Sequence, residues 1–264
     1  LDTEQQVSHY LPEISKGAYC DATVRNLLDM NVSSTFVEDY LDKTGIFNAY
    51  RNATGWNECH SENREGLWSF LPKIPKNSTD HGKRFHYCSP HTDMLGWVIE
   101  RTAGQQYAEV IRERILSPCG TQHEAYVCLD YFGAPRAAGG INICAADLAK
   151  VGELVRCDGY FNQSQILPES LVRDIKTFDN QVSWKGHMPK QEKLFPSGRY
   201  RSNWYQTWLP DEEVCGIGIH GQWLWVNPAK SVTLVKLSSY PLPMDMELDI
   251  EVVKGFRQIT EFLS

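Results

Sequence analysis

Three runs in this sequence combine residue types and spacings that could carry chemistry. Gly216-Ile217-Gly218-Ile219-His220-Gly221 satisfies G-x-G-x-x-G, the spacing that brings backbone close to a dinucleotide pyrophosphate. That chemistry needs a helix N-terminus directly behind the last glycine, whose unpaired N–H groups receive the phosphates. The next residues are Gln222-Trp223-Leu224-Trp225-Val226, a strand pattern, so the glycines are expected to let a backbone pass close to something on that face. His81, His86 and His91 lie near one another but lack metal-ligand spacing. His123-Glu124 opens like the zinc motif H-E-x-x-H, with Val127 where the second histidine belongs, so no metal site is expected. The sequence has no G-x-S-x-G elbow and no C-x-x-C pair.

The elements that must position any site change character along the chain. Ala22 to Met30 carries Val24, Leu27 and Leu28 at helical spacing, with Asp21 as N-cap. Thr44 to Lys83 reads as a long polar loop, and such a loop is usually a lid or a binding segment. Thr92 to Leu116 reads as two successive helices stopped by Ser117-Pro118-Cys119-Gly120, and Ala145 to Val155 as another. After Ser197 apolar and polar residues alternate. Tyr200 to Trp208, Val214 to Ile219, Gln222 to Val226 and Ser231 to Ser238 are expected as four antiparallel strands. A final helix should bury Leu248, Val252, Phe256, Ile259 and Leu263 on the sheet. The expected class is α+β, with a mostly helical domain over 1–165 and an antiparallel sheet with its helix over 166–264.

Composition excludes several functions. Twenty-six Lys and Arg against 33 Asp and Glu give a net charge of −7 in 264 residues with no basic run, which disfavours nucleic-acid binding. No run approaches the length of an apolar membrane-spanning helix. The 8 cysteines are widely scattered and read as small buried hydrophobes rather than a disulfide framework. Sequons at Asn31, Asn52, Asn77 and Asn162 bear only on a secreted chain, so cytoplasmic and exported locations both stay open.

The segment Phe85 to Arg101, with Tyr87-Cys88-Ser89 before a helix containing Leu95-Gly96, resembles the second motif (Tyr-x-Asn or Tyr-x-Ser) of the serine β-lactamase and penicillin-binding-protein superfamily. Further matches fall in the family's order. Leu1-Asp2 with Tyr10-Leu11-Pro12 resembles its L-D-x-x-V-x-x-Y-L-P segment, and Thr23 to Met30 its T-V-R-x-L-L-x-M helix. Ala138-Gly139-Gly140 with Asp147-Leu148-Ala149 resembles its A-G-G and D-L-A segments. Gly218-Ile219-His220-Gly221-Gln222 stands at its third motif, and with Glu38-Asp39-Tyr40 is similar to the 6-aminohexanoate-dimer hydrolase branch.

The resemblance implies a β-lactamase-like fold and acyl transfer from a small amide or ester through an acyl-serine, with no cofactor. It implies Tyr87 as proton shuttle, its phenol pKa lowered by a nearby lysine, and the Ile219 N–H as half of an oxyanion hole. Tyr40, Ser89, Trp204, Gly218 and His220 are implied to line the substrate site. The third motif lacks Lys-Thr-Gly, which favours an ester or linear amide over a β-lactam. The family's nucleophile is the serine of S-x-x-K, and no serine here has a lysine three residues on; Ser170-Leu171-Val172-Arg173 offers only an arginine, which cannot serve as a base. The chain is therefore expected to be a family member cut just past its nucleophile and inactive alone. The alternatives are a non-catalytic binding protein of the same fold and, more remotely, a metal-dependent hydrolase.

Overall fold

The computed structural model describes residues 1–58, 64–177, 189–208 and 211–263, with Trp208 by its backbone only. By internal contacts the chain divides into two compact units, Leu1–Val110 with Ala125–Asn142, and Ile111–Glu124 with Ile143–Ser264. These divisions fall elsewhere than the expected boundary at 165/166.

The first unit packs several short helices and one of 15 residues around an apolar core. Helix α1 (Val24–Leu28) buries Val24 and Leu27. Its N-cap is Thr23 rather than Asp21. The Asn26 N–H donates to Thr23 Oγ1 at 3.1 Å while the Thr23 N–H donates back to Asn26 Oδ1 at 3.0 Å, a reciprocal capping box. Asp21 is drawn away to Lys76 and His81. Helix α2 (Ile46–Ala53) sends Phe47, Tyr50 and Ala53 inward at helical spacing. With Leu67, Phe70, Leu71 and Ile74 they join the core, so the expected loop over Thr44–Lys83 is largely a structural segment. Its residues 59–63, including Cys59, lie outside the described residues.

Helix α3 (Ser89–Ala103) begins three residues before the expected Thr92, because Pro90 is at home in a first turn whose N–H groups need no partner. It buries Met94, Leu95 and Val98, and Trp97 stacks on Trp68 with ring centroids 4.5 Å apart. The second expected helix is Tyr107–Ile111, continued by a π-helical turn over Arg112–Leu116.

In the second unit, helices α4 (Ala145–Arg156), α5 (Glu169–Lys176) and α6 (Met246–Leu263) accompany a five-stranded antiparallel sheet. Strands β1 (Arg199–Arg201), β2 (Trp204–Trp208), β3 (Glu213–Gly218), β4 (Gln222–Asn227) and β5 (Val232–Lys236) pair in sequence order. The strand expected over Tyr200–Trp208 is thus two. Ser202 (φ 50°) and Asn203 (φ 64°) both take the left-handed conformation, which makes the two-residue turn between β1 and β2.

Alternation along β4 explains the layering. Trp223 and Trp225 meet Phe256 of α6 with centroids 6.1 and 5.6 Å apart, while Leu224 and Val226 cluster with Val155 of α4 and Val172 and Ile175 of α5. The antiparallel sheet therefore buries both of its faces against helices. Gly152 lets α4 approach closely: a Cβ there would lie 2.5 Å from Thr233 Cγ2 and 2.8 Å from Leu224 Cδ1.

Helix α6 corrects the expected stripe. It buries Asp249, Val253, Phe256 and Thr260, leaving Leu248, Ile259 and Leu263 exposed. Contact of Phe256 with the two tryptophans sets the rotation, and the buried face is turned from the expected one by about a fifth of a turn. Seven cysteines are free thiols among the described residues; Cys88, Cys119 and Cys215 are buried as expected, whereas Cys128 is exposed.

Candidate active site

The expected site residues fall into both units. In the first, Tyr87 precedes an extended Cys88, and Ser89 opens α3. The Ser89 N–H donates to Glu38 Oε2 at 2.5 Å, and its hydroxyl donates to Glu38 Oε1 at 2.8 Å. Tyr40 OH donates to the same Oε1 at 2.5 Å. One carboxylate thus joins two expected site residues that are far apart in sequence. Burial pushes the Glu38 carboxyl above its ordinary value, against the hydrogen bonds from Ser89 and Tyr40. Tyr40 also sets its ring edge-on to Phe47, 5.1 Å between centroids.

Tyr87 is half-buried. Burial and the Glu38 charge push its phenol up, with Arg136 opposing. The lowering implied by the resemblance depends on the lysine of S-x-x-K, a motif these residues do not contain.

A second buried cluster holds α3 in place. Tyr50 OH and Arg136 Nη1 each donate to Asp93 Oδ2 at 2.5 Å, and the Ala138 N–H donates to Asp93 Oδ1 at 2.8 Å. The A-G-G segment is thereby fixed to the helix that Tyr87 precedes. Arg136 lies 4.8 Å over the Tyr50 ring. Burial alone would favour loss of its proton, but Asp93, Tyr50 and Glu38 hold it above its usual value.

In the second unit, Gly218 ends β3 opposite Gln222, and Ile219–Gly221 form the tight turn into β4. A strand comes next, so the G-x-G-x-x-G run opens no helix. His220 is left-handed (φ 59°), its N–H donates to Pro243 O at 2.9 Å, and its Nδ1 lies 2.7 Å from Tyr240 O. A carbonyl can only accept, so Nδ1 carries a proton and a neutral ring presents Nε2 as acceptor. Around Gly216, a Cβ would find no atom nearer than Leu224 Cβ at 4.0 Å, so the chain leaves that strand face bare. Trp204, half-buried, packs against the cluster that includes Val155, Val172 and Val214.

The structure therefore brings Tyr40 and Ser89 onto Glu38, and gathers Gly218, Ile219 and His220 in one turn. The run Glu38-Asp39-Tyr40 was visible in sequence, but nothing local marked Glu38 as the link. The histidines near Tyr87 have other work: His81 Nδ1 accepts from the Ser33 N–H at 2.9 Å while its Nε2 pairs with Asp21, and buried His91 lies 3.0 Å from Tyr19 OH. Among the described residues, the group of donors suited to a metal is His123, Cys144 and Asp147.

An antiparallel sheet between helical layers, with a Tyr-x-Ser turn opening a buried helix, is the architecture of the serine β-lactamases and penicillin-binding proteins. The beta-lactamase family model matches residues 1–255, and the chain belongs to that family. Over 243 residues it is 30% identical to the 6-aminohexanoate-dimer hydrolase of Paenarthrobacter ureafaciens, covering 92% of this chain and 61% of that protein. The chain thus spans about three fifths of that curated relative's length. A solved Bacillus anthracis structure, provisionally named a 6-aminohexanoate-dimer hydrolase, matches all of this chain and 67% of its own at 25% identity, with a TM-score of 0.83. The D-stereospecific amidohydrolase of a Streptomyces species matches 96% of this chain and 78% of its own at 18% identity and a TM-score of 0.65, a likeness of fold alone. No helix among the described residues is long and apolar enough to cross a membrane.

Proposed function

We propose that the parent protein is a serine hydrolase that cleaves a small amide or ester through an acyl-serine intermediate. The observation that carries this reading is the Tyr87–Ser89 turn, fastened by Glu38 to Tyr40 at the start of α3, in a chain matched by the family over residues 1–255. In this reading Tyr87 relays a proton between the serine hydroxyl and the departing amine or alcohol. The Ile219 N–H donates to the oxyanion as charge develops. The bare backbone at Gly216 admits the scissile carbonyl. His220 at the third motif, in place of a lysine, favours an ester or linear amide. The Ser–Lys pair is not in these 264 residues, so they alone give no turnover. That same lack favours a second reading, a β-lactamase-like protein that binds without catalysis.

Hydrolysis of p-nitrophenyl acetate by the product of the complete gene, its Tyr87→Phe variant and the 264-residue chain tests both. The expected result is turnover by the complete product, a loss of about a hundredfold or more in the variant, and none from the chain alone. Unchanged turnover in the variant removes Tyr87 from the mechanism. An active 264-residue chain refutes the missing nucleophile, and an inactive complete product favours binding.

A further inference from the structure

Helix α4 begins at an unusual N-cap. Cys144 holds that position with extended backbone, and its side chain makes no capping bond to the helix N–H groups. The Sγ instead lies 3.2 Å from His123 Nδ1 and 3.4 Å from Asp147 Oδ2, and those two atoms are 3.0 Å apart. A thiol, an imidazole and a carboxylate therefore converge on one point from two segments of the same unit.

The triangle has the proportions of a tetrahedral face. With metal bonds of about 2.3 Å to sulfur and about 2.0–2.1 Å to nitrogen and oxygen, tetrahedral Zn2+ sets its ligands about 3.5 Å apart for S···N and S···O and about 3.3 Å apart for N···O. The observed edges of 3.2, 3.4 and 3.0 Å are each slightly shorter, as expected where shared protons hold the atoms instead.

The ligand atoms are held from behind. Asp147 has a side chain only 1% exposed. Its Oδ1 accepts from Lys150 Nζ at 2.9 Å and the Gln122 N–H at 3.1 Å, and its Oδ2 from the His123 N–H at 2.9 Å. Lys150 also donates to Gly120 O at 2.6 Å, closing the loop on which His123 sits. The His123 side chain is 60% exposed, so solvent reaches the cluster and can supply a fourth ligand.

We propose that His123 Nδ1, Cys144 Sγ and Asp147 Oδ2 form a binding site for a borderline-soft divalent cation, with Zn2+ the best match to the sulfur, nitrogen and oxygen donors. On binding, the S–H bond breaks, a sulfur–metal bond forms and the proton leaves to solvent. The imidazole gives its Nδ1 lone pair and carries its proton on Nε2. The ion pins the Gly120–Glu124 loop to the first turn of α4.

Co2+ titrated into the 264-residue chain is the direct probe. The expected result is visible d–d absorption with a near-ultraviolet thiolate-to-cobalt band, both removed by one equivalent of Zn2+, and a rise in thermal midpoint with Zn2+. Cys144→Ser keeps a good N-cap and should abolish the thiolate band. His123→Gln alters an exposed ring while keeping the backbone bond to Asp147. Each should weaken Zn2+ binding by more than about tenfold, since even losing a group behind a ligand costs that much. Far-ultraviolet circular dichroism checks that both variants fold. A thiolate band that persists in Cys144→Ser reports other thiols and overturns the site, as does unchanged Zn2+ affinity in both folded variants.

Discussion

The two units solve the same problem, holding a few reactive positions still, by opposite means. In the first unit position comes from buried charge: Asp93 collects Tyr50, Arg136 and the Ala138 N–H, and Glu38 collects Ser89 and Tyr40. In the second, position comes from the pleat. Strand β4 sends alternate residues to helices on either face, and the turn after Gly218 is placed by the register of β3 against β4. A charge network specifies geometry at a few atoms and fails when one is removed. A layered sheet spreads its specification over many contacts and fails by crowding.

The sharpest break of that contrast is Asp93→Ala. Removing one partner of a buried ion pair leaves Arg136 charged and unpaired, a loss of about 3–5 kcal/mol. Urea unfolding of the variant should show it, and a loss below about 1 kcal/mol would mean the network is not what holds the first unit. Gly152→Leu is the corresponding insult to the second unit. Its side chain must displace Thr233 and Leu224, and overpacking of this kind costs about 1–3 kcal/mol. A neutral result there would show the α4 contact to be looser than its distances say.

The smallest effect separates buried from exposed charge within the first unit. Burial would raise the Asp21 carboxyl, but Lys76 and His81 together bring it down to about 2 from 3.8. A depressed carboxyl contributes stability at pH values above 3.8, and that stability is lost as pH falls toward 2. Asp21 is 45% exposed, so screening keeps its contribution at neutral pH below about 1 kcal/mol. Asp21→Asn should flatten the acid limb of the stability curve between pH 4 and 2, and less so in high salt. An unchanged limb would assign the acid sensitivity to other carboxylates.

The same contrast governs how much of the molecule is legible in its sequence. Periodicity is local, so helix α3 and the strands after Ser197 were legible, whereas the Tyr87-Cys88-Ser89 turn was legible only through its resemblance to a family motif. The split between β1 and β2 was not, because Ser202 and Asn203 supply positive φ without a glycine to announce it. The rotation of α6 depends on where Trp223 and Trp225 stand, a fact outside the helix. Glu38 and Ser89 are 51 positions apart, and the donors at His123 and Cys144 are 21 apart, spacings set by folding rather than by any motif.

The tryptophans give each unit its own optical signature. Trp68 and Trp97 stack at 4.5 Å with planes 28° apart, close enough for their strong indole transitions to couple and give a paired positive and negative band in far-ultraviolet circular dichroism. Trp223 and Trp225, 1% and 0% exposed beneath Phe256, emit from a dry environment and shift to the red when water enters. Following the couplet and the emission through one melt therefore tells which unit lets go first, with no label attached to either.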